Sequence, residues 1–390
     1  MALERLRRVT RDGRWIPEID GLRFLAIGGV LLDHVYLQLA FRTERVIPVE
    51  PRYELLIDTF NHGNRGVKLF FIISGMILGL PFARQFLDRG PRVSLRKYYL
   101  RRLTRLEPPY FAMIALFTVM LAIYQHGLAR EYWGHLAASA IYMHSLIYGE
   151  MTPVNPVTWS LEVEIQFYLL APLLMQVFRI ESKWIRRGLL FSALALGWTQ
   201  APYMDNYRVN SSILFYIQYF LMGLLLADLY VVELPNMRTS WWWDLAGAVG
   251  LLCMFGISSE YYMTAHTILP LAMAGIFAGA LRGVALRKFF GWRWVAVTGG
   301  MCYSIYLIHL VMFAAFFKVT RRWIVPEYNF FQNYLIQFAT MLLPSVALCV
   351  VFYVLVERPC MDPDWPSKLW YRLTGRTGKE AETLDSAGIG

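Results

Sequence analysis

Charged residues are scarce in this 390-residue chain: Asp, Glu, Lys and Arg make up 17% of it, whereas 57% is hydrophobic and 16% is aromatic. So little charge is far from the average of soluble proteins. Long apolar runs recur from residue 19 to residue 356, and no segment between them is large enough for a separate soluble domain. About 20 helical residues cross the roughly 30 Å of bilayer hydrocarbon. The composition therefore predicts an all-α, polytopic integral membrane protein.

Cysteine is also scarce, and its four occurrences show no C-x-x-C pair and no metal-ligand spacing. Cys253, Cys302 and Cys349 fall inside apolar runs, and Cys360 lies just past the last one. We interpret all four as packing residues. The sequence therefore predicts no metal site.

Acidic residues are fewer than basic ones, which gives a formal net charge of +10. In a soluble protein this excess would suggest nucleic-acid binding, but here Lys and Arg cluster in short loops beside apolar runs, where they set membrane orientation. We therefore expect no nucleic-acid partner. The basic residues 1–18 are expected to be cytoplasmic. The apolar run after them contains polar residues and has no clear cleavage site, which predicts a retained signal anchor rather than a signal peptide.

Hydropathy predicts ten membrane spans, near residues 19–41, 66–87, 108–126, 157–178, 188–203, 212–232, 243–258, 264–281, 294–316 and 335–356. Residues 133–148 are doubtful. Counting them as a crossing would place the basic segments "ESKWIRR" and "RGVALRKFFGWRW" outside, against the positive-inside rule. Leaving them out returns both segments and both termini to the cytoplasm. We therefore predict ten helices in a membrane domain of residues 19–356, an external or re-entrant segment at 127–156, and a largely disordered cytoplasmic tail at 357–390.

The first span carries ionisable residues at membrane depth, among them Arg23, Asp33 and His34. Positions eleven apart on a helix are separated by about 16 Å and by only about 20° of rotation, so Arg23 and His34 share one face. Such groups cost a few kcal/mol in hydrocarbon and normally face a cavity or a partner. This face predicts a polar passage from the cytoplasm. The alternative is that Arg23 extends to the interface and His34 only hydrogen-bonds a neighbouring helix.

Further polar residues lie at the ends or inside of other spans. Arg65 and Lys68 stand at the outer end of the second span, ahead of Ser74-Gly75, for which helix packing is the alternative role. His309 lies about midway along the ninth span, where a lone histidine can simply bridge two helices. Each of these features is weak evidence for a site on its own.

The fourth span begins with a dense polar cluster, Trp159, Ser160, Glu162 and Glu164. The two carboxylates lie about 200° apart on a helix, so they cannot both face one lumen. Which of them faces a site is left open by the sequence.

Arg102 and Arg105 precede the predicted third span, whose start is assigned to Pro108-Pro109. Three residues apart, the two arginines project from one helical face and are suited to bind phosphates. The alternative is that they only enforce the positive-inside orientation.

Taken in order, these motifs resemble the acyltransferase 3 family of integral-membrane O-acyltransferases. The resemblance covers about residues 17 to 360 and rests on "IDGLRFLAIGGVLLDH", "GVKLFFIISGM", "RRLTRLEPPY", "WSLEVEIQFYLL", "YSIYLIHL" and "VERP". It implies about ten helices and transfer of an acyl group, commonly acetyl from acetyl-CoA, to a hydroxyl of a carbohydrate or related metabolite. Two residues depart from the family pattern: Lys68 replaces an acidic or uncharged polar residue, and Met76 replaces an aromatic one. We also expect no additional esterase-like domain.

The resemblance implies functional roles for Arg23, His34, Arg102 and Arg105. Our hypothesis is that Arg23 with the two later arginines holds the donor phosphates, and that His34 is the general base or forms an acyl-histidine. The remaining candidates are Ser74 and Gly75 for the donor, Glu162 or Glu164 to orient the base or the sugar, and Asp33, Trp159, Ser160 and His309 for the acceptor. No tightly bound cofactor is expected, since acyl-CoA is a co-substrate.

A transporter of a glycan or lipid intermediate is the alternative from another functional class. Transporters often consist of two halves of similar hydropathy, and no such halves are evident in this sequence. We expect a multi-pass protein of the bacterial cytoplasmic (inner) membrane, in contact with lipids, acyl-CoA and a carbohydrate or lipid-linked glycan acceptor. The identity of the acceptor, the acyl length and the oligomeric state are left open.

Overall fold

The computed structural model describes residues 6–8, 15–42, 50–127, 129–257, 262–362 and 365–374, without the side chains of 201, 262–266 and 370–374. All regular structure in these residues is helical. The α-helices are α1 Pro17–Arg42, α2 Pro51–Asn61, α3 Gly66–Leu87, α4 Leu95–Tyr124, α5 Tyr132–Ala140, α6 His144–Tyr148, α7 Trp159–Leu174, α8 Lys183–Ser192, α9 Tyr207–Asn210, α10 Ile213–Val232, α11 Trp241–Gly256, α12 Tyr262–Arg282, α13 Ala285–Phe290, α14 Arg293–Gly300, α15 Cys302–Thr320, α16 Phe330–Phe352, α17 Arg358–Cys360 and α18 Trp365–Thr374.

Shorter helical turns link several of these helices. They are the 3₁₀ segments His62–Arg65, Pro156–Thr158, Met175–Arg179, Ala193–Tyr203, Leu234–Asn236 and Arg321–Trp323, and the π-helical segment Tyr353–Glu357.

Seven helical segments of the described chain are long and apolar enough to cross a membrane. They are Pro17–Arg42, Pro51–Leu87, Leu95–Tyr124, Pro156–Arg179, Tyr207–Val232, Cys302–Trp323 and Phe330–Cys360. A shorter apolar helix covers Thr267–Arg282. The all-α, multi-pass architecture is thereby confirmed, whereas the count of ten spans and the cytoplasmic location of both termini stay predictions.

The doubtful stretch at 133–148 is divided between α5, with 9 residues, and α6, with 5 residues. A helix of nine residues is only about 14 Å long, less than half of the hydrocarbon thickness. The hydroxyl of Tyr110 on α4 donates to the carbonyl oxygen of Ser139 at 2.8 Å and so holds this segment against the helical bundle. Neither short helix can cross the bilayer alone, which agrees with leaving the stretch out of the span count.

Helix α4 runs without interruption through Pro108 and Pro109, so the assignment of its start to Pro108 is wrong. Proline at 108 removes the N–H that would bond to the carbonyl of Thr104, four residues earlier. The indole Nε1 of Trp365 donates to that carbonyl oxygen at 2.8 Å. Since a donor from α18 satisfies the freed carbonyl, the helix continues and carries the preceding arginines on the same rod as the span.

The same compensation occurs in α7, which contains Pro172. This proline leaves the carbonyl of Tyr168 without its helical donor. The hydroxyl of Tyr98 on α4 donates to that oxygen at 3.3 Å, which ties α4 to α7.

Trp365 belongs to α18, which lies inside the tail that the sequence predicts to be largely disordered. The first part of the tail thus contains two helices, α17 at Arg358–Cys360 and α18 at Trp365–Thr374. Residues 375–390 lie outside the described chain.

Helix α1 is central to the arrangement, because it packs against α2, α3, α14, α15 and α16. Helix α3 in turn packs closely on α10. A Cβ built at Gly75 would lie 2.3 Å from the carbonyl oxygen of Phe220, and one at Gly223 would lie 2.4 Å from that of Ile72. Only glycine permits this backbone approach, which fixes α3 and its Ser74 in the bundle.

The 3₁₀ turn His62–Arg65 caps the C-terminal end of α11. The guanidinium of Arg65 donates to the carbonyl oxygens of Met254 and Ile257 at 2.7 and 2.5 Å. The Nδ1 atom of His62 lies 2.8 Å from the carbonyl oxygen of Phe255. Side-chain donors at the last carbonyls of a helix are stabilising, and the charge of Arg65 adds to this effect, so both side chains have a structural role.

Candidate active site

Four arginines converge on one cavity of about 180 Å³. They come from the N-terminal segment (Arg8), α1 (Arg23) and α4 (Arg102 and Arg105). We call this space the arginine cavity. Its other polar lining residues are Ser74, Ser160, Glu164, Tyr168, Cys302, Tyr303 and Tyr306.

Asp20 organises two of these cations. Its carboxylate is only 2% exposed and pairs with Arg23, one turn along α1. The same Oδ1 atom lies 3.5 Å from Nη1 of Arg8, and Oδ2 accepts from the indole of Trp15 at 2.7 Å. Burial, followed by the charges of Arg105 and Arg23, lowers the pKa of Arg8 to about 9. The cluster therefore has an excess of positive charge that a bound anion would offset.

Arg102 and Arg105 take part in no ion pair among the described residues. The Nε atom of each is buried without a hydrogen-bond partner. The Arg102 guanidinium lies 5.2 Å from the ring centre of Tyr98 and 5.8 Å from that of Tyr168. Because no carboxylate of the described residues forms a direct ion pair with these two arginines, they are suited to bind an anionic ligand.

Glu164 and Ser74 lie together on the wall of the arginine cavity. The hydroxyl of Ser74 donates to Oε1 of Glu164, which also accepts from the hydroxyl of Tyr168 at 2.5 Å. In this arrangement the Ser74 proton is already engaged and is not directed at a ligand. Gly75 is absent from the lining, since it faces the backbone of α10.

Glu162 points away from the arginine cavity, as its angular offset from Glu164 requires. It is fully buried, and its Oε2 accepts from the backbone N–H of Ser145 at 2.9 Å. Its Oε1 has no hydrogen-bond partner in the part of the chain that the structure describes. Glu164 is therefore the carboxylate that faces the cavity, while Glu162 connects α7 to the segment at 144–148.

His34 and His309 form a pair between α1 and α15. Nδ1 of His34 lies 2.8 Å from Nε2 of His309, and the ring centres are 5.0 Å apart. Nδ1 of His309 lies 2.8 Å from the carbonyl oxygen of Ile305 and 2.9 Å from that of Tyr306. Carbonyl oxygens only accept, so these contacts place the His309 proton on Nδ1.

The histidine pair lines neither the arginine cavity nor the second cavity described below. The link to the arginine cavity is Tyr306, which lines it and precedes His309 by three residues on α15. The Tyr306 hydroxyl donates to the carbonyl oxygen of Val157 at 2.5 Å and lies 3.1 Å from Oγ of Ser160. Ser160 is therefore beside this tyrosine at the cavity wall.

Asp33 is also outside both cavities. It is 3% exposed, and its Oδ1 has no hydrogen-bond partner within the described ranges. A Cβ built at Gly63 would lie 3.1 Å from the Asp33 Cβ, so this carboxyl stands where α1 meets the turn before α3.

A second cavity of about 440 Å³ lies on the other side of Val67, which lines both spaces. We call it the lysine cavity, after Lys68. Trp159 lines it, although the next residue, Ser160, lines the arginine cavity. The remaining lining residues are Asn61, His62, Asn64, Arg65, Met151, Met204, Tyr207, Asn210, Ser211, Phe215 and Tyr216.

Several residues of the arginine cavity were not identified from the sequence. Arg8 lies in a basic segment that is sufficiently explained by membrane orientation, and Tyr306 lies in a span rich in aromatic residues. Asp20 did offer a signal, because a carboxylate one turn before a membrane arginine is a natural ion-pair partner. Cys302, interpreted as a packing residue, also lines this cavity.

A family model described as an acyltransferase domain, that of the acyltransferase 3 family, matches residues 16–354. The peptidoglycan O-acetyltransferase OatA of Listeria monocytogenes is 25% identical in an alignment 338 residues long that covers 78% of this chain and 50% of that protein. The O-acetyltransferase OatA of Staphylococcus aureus strain NCTC 8325 is 24% identical in an alignment 406 residues long, gaps included, that covers 95% of this chain and 61% of that protein. The chain thus spans about half to three fifths of these relatives. No solved structure matches it.

Proposed function

Because the chain belongs to the acyltransferase 3 family, we propose that it transfers an acetyl group from acetyl-CoA to a hydroxyl of a cell-envelope carbohydrate. The names of two relatives, both O-acetyltransferases, support acetyl as the acyl group. One of them is named for peptidoglycan, which makes the sugars of peptidoglycan the first acceptors to test. The proposed location is the bacterial cytoplasmic membrane.

The observation that carries this proposal is the convergence of four arginines on the arginine cavity. The nucleotide of acetyl-CoA bears several phosphate charges and cannot enter hydrocarbon unaided. Arg102 and Arg105, which form no direct ion pair among the described residues, bind these phosphates together with Arg8 and Arg23. The narrow pantetheine arm then extends along α1 from Arg23 towards His34, a distance of about 16 Å along the helix axis.

The histidine pair provides the general base. With both rings neutral, Nε2 of His309 accepts a hydrogen bond from Nδ1–H of His34, which leaves the lone pair of the His34 Nε2 free. That atom takes the proton of the acceptor hydroxyl as its oxygen attacks the thioester carbonyl. The new C–O bond forms, the C–S bond breaks, and the leaving thiolate receives the proton from His34. His309 acts as a positioning residue.

Tyr306 controls the connection between the arginine cavity and the histidine pair. It lines the cavity one helical turn before His309, and its hydroxyl is held by Val157 and Ser160. Displacement of this ring opens the cavity towards His309 and admits the thioester. Glu164, held by Ser74 and Tyr168, keeps the adjoining wall polar.

The test uses the purified full chain in proteoliposomes with radiolabelled acetyl-CoA and soluble peptidoglycan fragments. We expect label in an alkali-labile ester on the saccharide with wild-type protein. His34→Ala should lose this activity by a factor of about 100 or more, while its thermal unfolding in detergent is unchanged. Wild-type turnover by His34→Ala would exclude the proposed base. Movement of unmodified saccharide across the membrane without ester formation would instead support the transporter.

A further inference from the structure

The lysine cavity contains a cation that the proposed mechanism does not use. Lys68 lies on α3, within a span, and forms no ion pair or hydrogen bond among the described residues. Its Nζ lies 5.9 Å from the ring centre of Tyr219. None of the described residues that line the cavity is acidic. The ammonium group therefore faces a space without a protein counter-charge.

Two other basic side chains of this cavity have structural partners. Arg65 donates to Met254 and Ile257, and His62 contacts Phe255, at the end of α11. No comparable contact involves Lys68 among the described residues. An unpaired charge at membrane depth is costly and usually marks a functional site.

The walls of the lysine cavity suit a sugar. Trp159 and Tyr216 lie 5.5 Å apart between ring centres, and both line the space. Asn61, Asn64 and Asn210 add amide donors and acceptors. Aromatic walls with a few convergent polar groups are typical of small-molecule sites.

We propose that the lysine cavity binds the acceptor glycan and that Lys68 selects an acceptor carrying an anionic group, either a carboxylate or a phosphate. This inference rests on the proposed function for the role of the glycan as acceptor. The adjacency of the two cavities, which share Val67, places this acceptor beside the donor site.

Calorimetric titration of the full chain in detergent tests the proposal without requiring turnover. The probes are tetragalacturonate, its carboxyl-reduced neutral tetrasaccharide, galactose phosphate, and the adenosine bisphosphate fragment of coenzyme A. The variants are Lys68→Met, Lys68→Glu and Lys68→Arg, with Lys97→Met as a charge-matched control, because Lys97 is exposed on α4 and lines neither cavity.

We expect Lys68→Met to weaken binding of an anionic probe by about tenfold or more, as loss of a charge-assisted contact implies. Lys68→Glu should weaken it further, while Lys68→Arg and Lys97→Met retain it. The neutral tetrasaccharide and the bisphosphate should bind equally to wild type and Lys68→Met. Preference for tetragalacturonate or for galactose phosphate identifies a carboxylate or a phosphate as the anion recognised.

Three results would overturn the inference. The first is that Lys68→Met loses affinity for the neutral and the anionic saccharides equally. The second is that Lys68→Met loses affinity only for the adenosine bisphosphate. The third is that wild type binds neither anionic probe with an affinity that depends on salt. The salt dependence of anionic-probe binding by wild type tests the inference even if a variant does not fold. Charge-dependent glycan binding without donor-dependent acetylation would refute the proposed function while leaving the lysine cavity an anion-selective glycan site.

Discussion

The orientation of His34 depends on a second imidazole rather than on a carboxylate. The Nδ1–H of His309 donates to two backbone carbonyl oxygens, and its Nε2 lies 2.8 Å from Nδ1 of His34. A buried carboxylate in this position would add a charge to the membrane interior, whereas a neutral imidazole fixes the tautomer without doing so. In the proposed mechanism, the pair thus provides a base whose free nitrogen is defined by hydrogen bonds that originate in the helix backbone.

This geometry predicts that His309 matters through His34. His309→Leu removes the acceptor for the His34 Nδ1 proton, so kcat should fall by about 100-fold or more, the scale of general-base catalysis. The KM for acetyl-CoA should change little, because His309 is not in the arginine cavity. His309→Gln, whose amide oxygen can accept from His34, should recover part of kcat. Steady-state kinetics separate the two constants, and a KM effect alone would contradict the positioning role.

Arg105 and Arg101 make a matched pair for testing the donor site. Both are on α4, but Arg105 lines the arginine cavity and Arg101 is exposed outside it. Arg105→Ala should raise the KM for acetyl-CoA about tenfold or more, since it removes a charge-assisted phosphate contact. Arg101→Ala should leave the KM within a factor of about two, because a surface charge contributes little. Equal increases in the KM for acetyl-CoA with both variants, measured from initial rates, would indicate a general electrostatic effect rather than a phosphate-binding site.

At the scale of helices, Gly75 illustrates why a motif residue need not contact a ligand. Its Cα faces the backbone of α10, whereas nothing lies within 4 Å of a Cβ built at Gly28 in α1. Gly75→Ala should destabilise the fold by about 1–3 kcal/mol through overpacking, with lower thermal stability in detergent. Gly28→Ala should be neutral or stabilising by up to about 1 kcal/mol. An unchanged melting temperature with an increased KM for acetyl-CoA in Gly75→Ala would favour direct donor contact.

The boundaries of the helices are less predictable from the sequence than their existence. The apolar run from Pro108 correctly marks a span, but the helix extends to Leu95 because Trp365, far along the chain, satisfies the carbonyl freed by the proline. Local preference places a helix start at proline, and only the tertiary partner reverses that preference. Element types are therefore readable from composition, whereas boundaries depend on contacts between distant residues.

For the candidate site, too, the sequence predicts what lies within one helix but not the contacts between distant residues. The eleven-residue spacing of Arg23 and His34 predicts a shared helical face, and the spacing of Arg102 and Arg105 predicts a common projection. The arginines of both predictions, Arg23, Arg102 and Arg105, line the arginine cavity. The contribution of Arg8 and the contact between His34 and His309 join positions separated by long stretches of chain. Periodicity within one helix carries no information about such contacts.

At the scale of the whole molecule, the proposal requires the arginine cavity to open to the cytoplasm and the lysine cavity to the outer side. Asn64 is an exposed residue that lines the lysine cavity, and Arg101 is an exposed residue of α4, the helix that carries Arg102 and Arg105; both are suited to cysteine substitution. A membrane-impermeant maleimide should label Asn64→Cys in intact cells, but Arg101→Cys only after permeabilisation, each compared with the unmodified chain. This result follows from the positive-inside assignment of the basic loops. Labelling of both variants from the same side would refute transfer across the bilayer and the topology on which it depends.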